Sequence, residues 1–406
     1  MVGAYPLGGV AWDYFHYVLA LHELGHDVYY HEDTWSWPYH PLEGGPTEDP
    51  SYTVGVVKGF FDRYAPHLKE RWHYLHLHEK SFGMTRDAFD DVAKSADVFL
   101  NVSGACFFPD NLNPKVVKVF MDTDPGYNQI VMHEKPAWSS NVDRWVKQVR
   151  EHDRHLTYAE NIYAPDCLIP RMDIDWRPTR CVVTLPSWAD VRNAPAPTDA
   201  AFSTIMSWSY FKGDLVYRGV KYEAKAPEYE KFHDLPKRVN IPLTLAVGGW
   251  HQPVEKIKAD GWTWIDARTT TTTAAEYVDF IQQSRGEWSV AKNVYVATNS
   301  GWFSCRTACY LAAGRPAVVQ ETGWSRYVPA GQGVLTFVTM QDAINALNEV
   351  HANYAHHRAR AYDIAREYLA PDRVLPPMLE TIFSSARRSD PSQLPPSVSA
   401  PTPTQP

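Results

Sequence analysis

Short apolar segments alternate with helical segments along almost the whole chain, and this alternation restricts the fold more than any other feature. The chain opens with a short strand (MVGAY), a glycine turn at Gly8 and Gly9, a helix from Val10 and a second strand, HDVYYHED, at residues 26–33. Gly25 stands where a helix cap belongs. A βαβ unit of this kind joins parallel strands, so the opening predicts an α/β fold. MVGAY is short for a buried strand, and we interpret it as the clipped end of a first strand that begins upstream.

The same alternation continues through two halves of similar size. Strands of the first half are predicted at residues 96–104, 115–125, 155–162 and 167–170. Strands of the second half are predicted at residues 202–208, 241–249, 293–299 and 316–320, with a helix at 273–285 and helical residues throughout 341–385. The pattern predicts two doubly wound, Rossmann-like domains that face a cleft. Ligands bind such domains at the carboxyl ends of the strands.

The boundary between the two domains is predicted in the charged and proline-rich segment PRMDIDWRPTR, residues 170–180. It divides the chain into an N-terminal domain of residues 1–172 and a C-terminal domain of residues 173–385. Residues 386–406 are rich in proline and serine, and a segment of that composition is expected to be disordered.

Charge, cysteines and hydropathy restrict the function classes. The net charge of −8 gives little support for a nucleic-acid or anionic-membrane partner. The five cysteines form no CxxC pair, so they signal neither a disulfide framework nor a zinc site. No apolar run approaches the roughly 18–20 residues of a membrane span, and no signal-peptide layout opens the chain. We therefore expect a cytoplasmic protein without a membrane span.

The glycine pair and the helix that follows supply the first site candidates. Gly8 and Gly9 precede a helix, where backbone N–H groups and the helix dipole favour an anion. A plain tight turn is the alternative, and the third glycine of the dinucleotide fingerprint is missing, so binding of NAD is poorly supported. Asp13 is expected in the first helical turn, where it is a candidate catalytic base.

Two carboxylates end the strand KVVKVFMDTDP. Asp122 and Asp124 stand two residues apart, which suits a base or a group that binds an acceptor hydroxyl. The same spacing matches the Asp-x-Asp pattern with which one class of sugar transferases holds a divalent metal, and an Asx-type turn is the structural alternative. The histidines of HYLHLH, residues 73–78, have no carboxylates beside them. We interpret them as a solvated strand face and assign no metal site.

The second half contributes cations and glycine-rich strand ends. Arg218, Lys221 and Lys225 follow its first strand, where they are placed to meet a diphosphate. In NSGWFSCRTACYLAAGRPAVVQETGW, a turn at 300–304 leads into a helix at 306–313. The helix N-terminus beside Arg306 suits a phosphate.

Two segments resemble the GT-B glycosyltransferase superfamily. GWFSCRTACYLAAGRPAVVQETG is similar to the donor-binding segment of these enzymes, in which a helix runs into a Gly-x-Pro turn and a strand of valines. GGVAWDYFHYVLALHELGHDVYY resembles their glycine-loop opening. Both ends of the chain and the two-domain layout share the resemblance, which implies a GT-B fold.

The resemblance implies that a sugar is transferred from a nucleoside diphosphate, UDP among the candidates, to an acceptor held by the N-terminal domain. Lys225 and Arg306 would bind the diphosphate, and the loop at 321–323 would touch the donor sugar or the ribose. The full donor-binding set is Gly8, Gly9, Lys225, Gly301, Arg306, Glu321, Thr322 and Gly323. No metal and no cofactor besides the nucleotide-sugar co-substrate is expected. A helix within 355–385 would cross back to the first domain.

The sequence also departs from the family pattern. Gly301 and Cys309 stand where retaining members often carry two glutamates, and residues 6–9 lack the histidine of inverting relatives. If the enzyme inverts, Asp13, Asp122 and Asp124 are the candidates to receive the acceptor proton. The stereochemistry, the nucleotide base, the acceptor (a glycan, a lipid, a small molecule or modified nucleic acid) and the oligomeric state stay open.

Three alternative functions remain. A metal-dependent Asp-x-Asp transferase would use Asp122 and Asp124. A non-catalytic GT-B-like protein would bind a nucleotide or a glycan without turnover, a reading that the missing glutamate pair keeps open. A nicotinamide oxidoreductase is the weakest alternative, although Glu32 and Asp33 end the second strand where a ribose-binding acid would stand.

Overall fold

A computed structural model describes residues 1–208, 213 and 215–384. The predicted tail at 386–406 and the last residue assigned to the second domain, 385, lie outside the described residues. The strands are β1 (Tyr30–Glu32), β2 (Tyr39–His40), β3 (Gly45–Pro46), β4 (Trp72–His76), β5 (Lys80–Gly83), β6 (Val98–Val102), β7 (Val117–Asp122), β8 (Arg154–Thr157), β9 (Trp176–Pro178), β10 (Phe202–Ser207), β11 (Leu215–Tyr217), β12 (Val220–Tyr222), β13 (Leu243–Gly248), β14 (Thr263–Asp266), β15 (Gly286–Ser289), β16 (Ala317–Gln320) and β17 (Val334–Phe337). The helices are α1 (Gly8–Glu23), α2 (Ser51–Tyr64), α3 (Arg86–Ser95), α4 (Tyr127–Glu134), α5 (Val142–Arg150), α6 (Ala189–Asn193), α7 (Ala226–Glu230), α8 (Val254–Ala259), α9 (Ala274–Gln283), α10 (Asn293–Ala297), α11 (Cys305–Ala312), α12 (Met340–Ala352), α13 (Tyr354–Ile364) and α14 (Pro371–Phe383).

The second half is built on a six-stranded parallel sheet. Its strand order is β14-β13-β10-β15-β16-β17, so the first strand of the half, β10, lies in the middle and pairs on both sides. This is the strand order of a doubly wound fold. β13 is buried at five of its six positions because helices cover both faces of the sheet.

The first half contains two sheets. β6, β7, β8 and β9 form a four-stranded parallel sheet in that order. β1 pairs with β4 in parallel, and β4 pairs with β5 antiparallel. The predicted α/β class with parallel sheets in both halves is confirmed. β9 lies within the segment that predicted the domain boundary, so the first sheet continues beyond residue 172.

The two halves share a continuous aromatic and aliphatic core. α1 packs on α9 and α11 from the second half and on α14 from the chain end. Trp12 on α1 contacts the rings of Phe60 and Trp188, and its indole N–H donates to the carbonyl of Ala274 (3.0 Å). α14 reaches back to α1 and β7. Burial of large aromatic side chains at this contact holds the halves together.

The first residues differ from the sequence prediction. Residues 1–5 form turns, not a strand, and the backbone N–H groups of Gly3 and Ala4 donate to the buried Glu32 carboxylate (2.6 and 3.0 Å). Gly8 and Gly9 lie inside α1 and not in a turn before it. Asp13 is therefore the sixth residue of the helix, beyond its first turn.

Three further predictions of local structure are wrong. Residues 167–170 form no strand. Residues 293–299 carry α10, because packing of Val294 and Tyr295 against the interface with α4 overrides their preference for strands. The segment at 73–78 contains most of β4, which is buried throughout, and His73 stacks against His31 and Phe89. Sequence reasoning read its alternating histidines as a solvated face.

In the described residues, no helix combines the length and the apolar character needed to cross a membrane.

Candidate functional site

The carboxyl ends of the two parallel sheets meet at one interface, where an ion pair joins the halves. Asp124, after β7, accepts from the ammonium group of Lys292 (2.6 Å) and from the hydroxyl of Tyr295. Lys292 follows β15, so each partner stands just beyond the end of a strand. Asp124 therefore contacts the second half, as the cleft prediction requires, but its carboxylate is already engaged.

A second contact between the halves surrounds Asn161, which follows β8. Its backbone N–H donates to the carbonyl of Ser300 (3.1 Å), and its side-chain amide donates to the carbonyl of Asn299 (3.0 Å). Gly301 and Gly323 both have positive φ (+78° and +94°). A Cβ on Gly301 would lie 2.7 Å from the backbone nitrogen of Asn161, and one on Gly323 would lie 2.0 Å from its side-chain nitrogen. Both predicted donor-binding glycines therefore permit close contact between the two halves.

The loop at 321–323 is held by its own side chains. The Glu321 carboxylate accepts from the backbone N–H groups of Thr322 (3.1 Å) and Gly323 (2.6 Å) and from the hydroxyl of Thr336 (3.1 Å). The hydroxyl of Thr322 donates to the carbonyl of Trp302 (2.7 Å). Glu321 and Thr322 therefore fix the loop that follows β16.

Lys225 lies near two other cations, Arg306 and Lys292, and near the buried carboxylate of Glu287. Lys225 is only 8% exposed, and its ammonium group forms no hydrogen bond or ion pair with the residues that the structure describes. Burial lowers its pKa well below the usual value for lysine, and the charges of Arg306 and Lys292 lower it further, while Glu287 opposes them. A buried ammonium group without a partner is costly. Arg306 pairs with Glu287 and Lys292 pairs with Asp124, so Lys225 is the cation of this cluster that lacks an anionic partner among the described residues.

Arg306 lies in the first turn of α11 and is directed into the protein. Its Nε donates to the fully buried Glu287 carboxylate (2.6 Å), and Nη1 donates to the carbonyl of Ile205 on β10 (2.6 Å). The guanidinium that the sequence assigned to a phosphate is thus paired in this structure. Arg306 supports the cationic cluster, and Lys225 is its member without a partner.

Asp13 lies where α1 meets the start of α11. Its Oδ1 is buried without a hydrogen-bond partner among the described residues. Burial raises the pKa of the Asp13 carboxyl to about 6, and the nearby thiol of Cys305 opposes the rise. A carboxylate with a pKa near neutrality and one unoccupied oxygen suits a general base.

The glycine pair forms part of the contact between the halves. The backbone N–H of Gly8 donates to the carbonyl of Thr271 (3.1 Å), so it does not face an anion. A Cβ on Gly8 would lie 2.3 Å from the carbonyl oxygen of Thr273, and one on Gly9 would lie 3.1 Å from the ring of Tyr277. The predicted open anion-binding turn is wrong for Gly8, because α1 begins there and packs directly on the second half.

Asp122 is a buried structural carboxylate. It is fully inaccessible and accepts four hydrogen bonds, from the backbone N–H of Asp124 (3.2 Å) and the side chains of Asn128 (2.7 Å), Gln129 (2.6 Å) and Thr157 (2.8 Å). Burial raises the pKa of its carboxyl, and the side-chain hydrogen bonds oppose that rise. No lone pair is left for a metal or a substrate, so the structure does not support the catalytic role predicted for Asp122.

Replacing Asp122 with Ala should destabilise the protein by about 3 kcal/mol or more, because three side-chain donors lose their buried acceptor. Urea unfolding measures the change. Asp110→Ala, at a carboxylate that is 64% exposed, is the control and should stay within about 0.5 kcal/mol of the parent. A stable Asp122→Ala protein that has lost turnover would return Asp122 to the catalytic residues.

Several site residues escaped sequence reasoning. Lys292 and Glu287 were hidden because the segment after residue 293 was taken as a strand, and β15, which ends at Ser289, was missed. Glu160 follows β8; burial raises the pKa of its carboxyl to about 7, its pairing with Arg180 opposes the rise, and its Oε2 has no partner. Glu160 was missed because the strand predicted at 155–162 contained it, whereas β8 ends at Thr157.

The hairpin β11–β12 separates cations that the sequence grouped. Arg218 and Lys221 are exposed on this hairpin, where Arg218 lies over the ring of Tyr217 and Lys221 pairs with Glu223. Only Lys225 of the three predicted cations enters the buried cluster.

Comparison with known proteins gives matches in structure only. No family model and no curated protein matches the sequence. An alpha-glucosyltransferase solved in complex with UDP and a 13-mer DNA is similar in structure, with a TM-score of 0.51, 10% identity and coverage of 78% of this chain and 86% of that one. A glycosyltransferase involved in avilamycin A biosynthesis matches with a TM-score of 0.46, 13% identity and coverage of 89% and 88%. Sucrose-phosphate synthase from Thermosynechococcus elongatus matches with a TM-score of 0.42, 13% identity and coverage of 89% of each chain.

The first of these similarities, together with two parallel α/β halves whose strand ends face each other, confirms the fold that the sequence resemblance implied. The chain has a GT-B fold.

Proposed function

We propose that the protein is a glycosyltransferase that takes a sugar from a nucleoside diphosphate donor and needs no metal to do so. The observation that carries the proposal is the ammonium group of the buried residue Lys225, which lies near Arg306 and Lys292 and has no partner within residues 1–208, 213 and 215–384. A diphosphate would supply the missing negative charge and the missing hydrogen-bond acceptors.

The same cluster accounts for catalysis without a metal. Negative charge develops on the leaving diphosphate during sugar transfer, and fixed cations in a water-poor site stabilise that charge. The start of α11 adds unpaired backbone N–H groups and the positive end of a helix dipole beside Arg306. The saturated Asp122 and the ion-paired Asp124 argue against the Asp-x-Asp metal alternative.

The first half is the proposed acceptor domain. Exposed aromatic side chains follow the carboxyl end of β1: Trp35 is 58% exposed and Trp37 is 48% exposed, and Tyr5 nearby is 49% exposed. Large exposed aromatic rings mark a binding surface, since they offer flat apolar faces with polar edges. An acceptor with apolar or sugar faces fits this surface.

The base Asp13 and the cation Lys225 both border the start of α11, one from each half. This arrangement suits removal of a proton from an acceptor hydroxyl while the diphosphate is held. UDP is the first nucleotide to test, because the alpha-glucosyltransferase with the same fold was solved with UDP.

The test is thermal stabilisation by UDP, GDP, dTDP, ADP and NAD, each with and without EDTA. We expect one nucleotide of sugar donors to stabilise the protein by about 4 kcal/mol at a thousandfold excess over its dissociation constant, with no effect of EDTA. Release of the nucleotide from the matching nucleotide-sugar then reports turnover. A response that requires a divalent metal would overturn the metal-free mechanism, and a response to NAD alone would overturn glycosyl transfer. Binding without any turnover would favour the non-catalytic alternative.

A further inference from the structure

The sheet of the first half is interrupted between β1 and β6. Within the described residues, β1 pairs only with β4, and β6 pairs only with β7, so each strand has one unpaired edge. A cavity of about 440 Å³ lies between these edges. His31 of β1 and the whole of β6 line it, together with side chains from α1, α3 and α14.

The second half shows what occupies the corresponding position. Its sheet has the order β14-β13-β10-β15, in which the first strand of the half lies between the second strand and the strand on the far side. The first half has the order β4-β1, then the cavity, then β6-β7. The cavity in the first half is therefore in the position of β10, and the element missing from the chain order is a strand before α1.

β6 has the composition of a central strand and the exposure of an edge. Val98, Phe99, Leu100 and Val102 are apolar on both faces, as in strands buried by helices on either side. All four are nevertheless only half-buried, whereas β13 is buried at five of six positions. An apolar edge of this kind requires a cover, because exposed strand edges pair with other chains.

The start of the chain points into the cavity. Met1 lines it, and the Met1 nitrogen lies 2.6 Å from the Glu32 carboxylate at the carboxyl end of β1. A strand that ends at Met1 would run parallel to β1 and β6 and would lead through the turn at residues 2–7 into α1. The result is a βαβ unit.

We infer that the cavity holds a parallel β-strand of five or so mostly apolar residues, supplied by polypeptide that directly precedes Met1. This strand pairs with β1 and β6 and joins the two sheets of the first half into one. The inference does not depend on the proposed glycosyl transfer, since it concerns only the sheet.

The N-terminus of the protein purified from its natural source provides the direct test. Intact mass and N-terminal peptide mapping should give a protein longer than the 406-residue chain, with a run rich in Val, Ile or Leu immediately before Met1. A natural protein that begins at Met1, or one with a polar segment before it, would overturn the inference.

A pair of extended chains gives a second test. One carries Ile-Val-Leu-Val-Val before Met1, and its length-matched control carries Gly-Ser-Gly-Ser-Gly. The apolar extension should raise the melting temperature by about 5 °C or more. It should also slow amide exchange in β6 by roughly tenfold, because the unpaired edge becomes hydrogen-bonded. Equal melting temperatures and equal amide exchange in the two chains would overturn the inference.

Discussion

Asp13→Asn should lower turnover by about 10²- to 10⁴-fold, the range lost when a general base is removed. The substitution keeps the size of the side chain at its half-buried position on α1 and removes only its ability to take a proton. Binding of the donor nucleotide should change little, because Asp13 belongs to the first half and the cationic cluster belongs to the second.

The pH dependence gives a sharper test of the same residue. A base must be deprotonated, and burial raises the pKa of the Asp13 carboxyl to about 6. Turnover in the parent should therefore rise with pH up to about 6 and then level, and this acid limb should be absent from the residual activity of Asp13→Asn. Asp62→Asn, at an exposed carboxylate on α2, is the matched control. An unchanged acid limb in Asp13→Asn would assign the base to another group, with Glu160 the next candidate by its pKa of about 7.

Lys225→Met should weaken binding of the nucleoside diphosphate by about 2–3 kcal/mol, or roughly 30- to 150-fold. Methionine retains the apolar stem in the buried position and removes the ammonium group, which pairs with none of the described residues. Lys221→Met, at the exposed lysine of the β11–β12 hairpin, is the control and should bind as the parent does. Isothermal titration calorimetry measures both variants.

Proton uptake on binding of the diphosphate shows whether Lys225 contacts the phosphate directly or whether Lys225→Met weakens binding only through a loss of packing. Burial holds the pKa of Lys225 well below its usual value, and a bound diphosphate would raise it. Between the two pKa values binding takes up a proton, so affinity should fall as pH rises and the measured heat should depend on the buffer. Lys225→Met should lose this dependence. If the variant binds more weakly but keeps the buffer dependence, Lys225 does not contact the phosphate.

Position after a strand was the basis on which the sequence singled out Asp124 and Lys225. In the structure Asp124 contacts the second half through Lys292, and Lys225 lies near Arg306 and Lys292. Their roles in binding and catalysis stay predictions. The choice of Asp122 failed because the same rule cannot tell a carboxylate that faces the cleft from one that faces its own loop. In the structure, four donors from the loop, α4 and the neighbouring strand bond the Asp122 carboxylate, so it faces its own loop.

Arg306 and Gly8 show a different limit. Their local signals, a cation at a helix start and a glycine before a helix, are compatible with anion binding. The structure instead pairs Arg306 with Glu287 on β15 and presses Gly8 against residues 271–273. Both outcomes depend on partners that are 19 and more than 260 residues away in sequence, which no local pattern contains.

The alternation of strands and helices, which is a local property of hydrophobic periodicity, determined from sequence alone that this chain folds as two parallel α/β halves with a GT-B resemblance. The cap residue Gly25 was equally legible, and its φ is positive (+89°) in the structure. The tertiary structure decided which polar residues are paired, because pairing depends on how the halves pack against each other. It also showed the unpaired edges of β1 and β6, since an empty position in a sheet exists only once the neighbouring strands are in place.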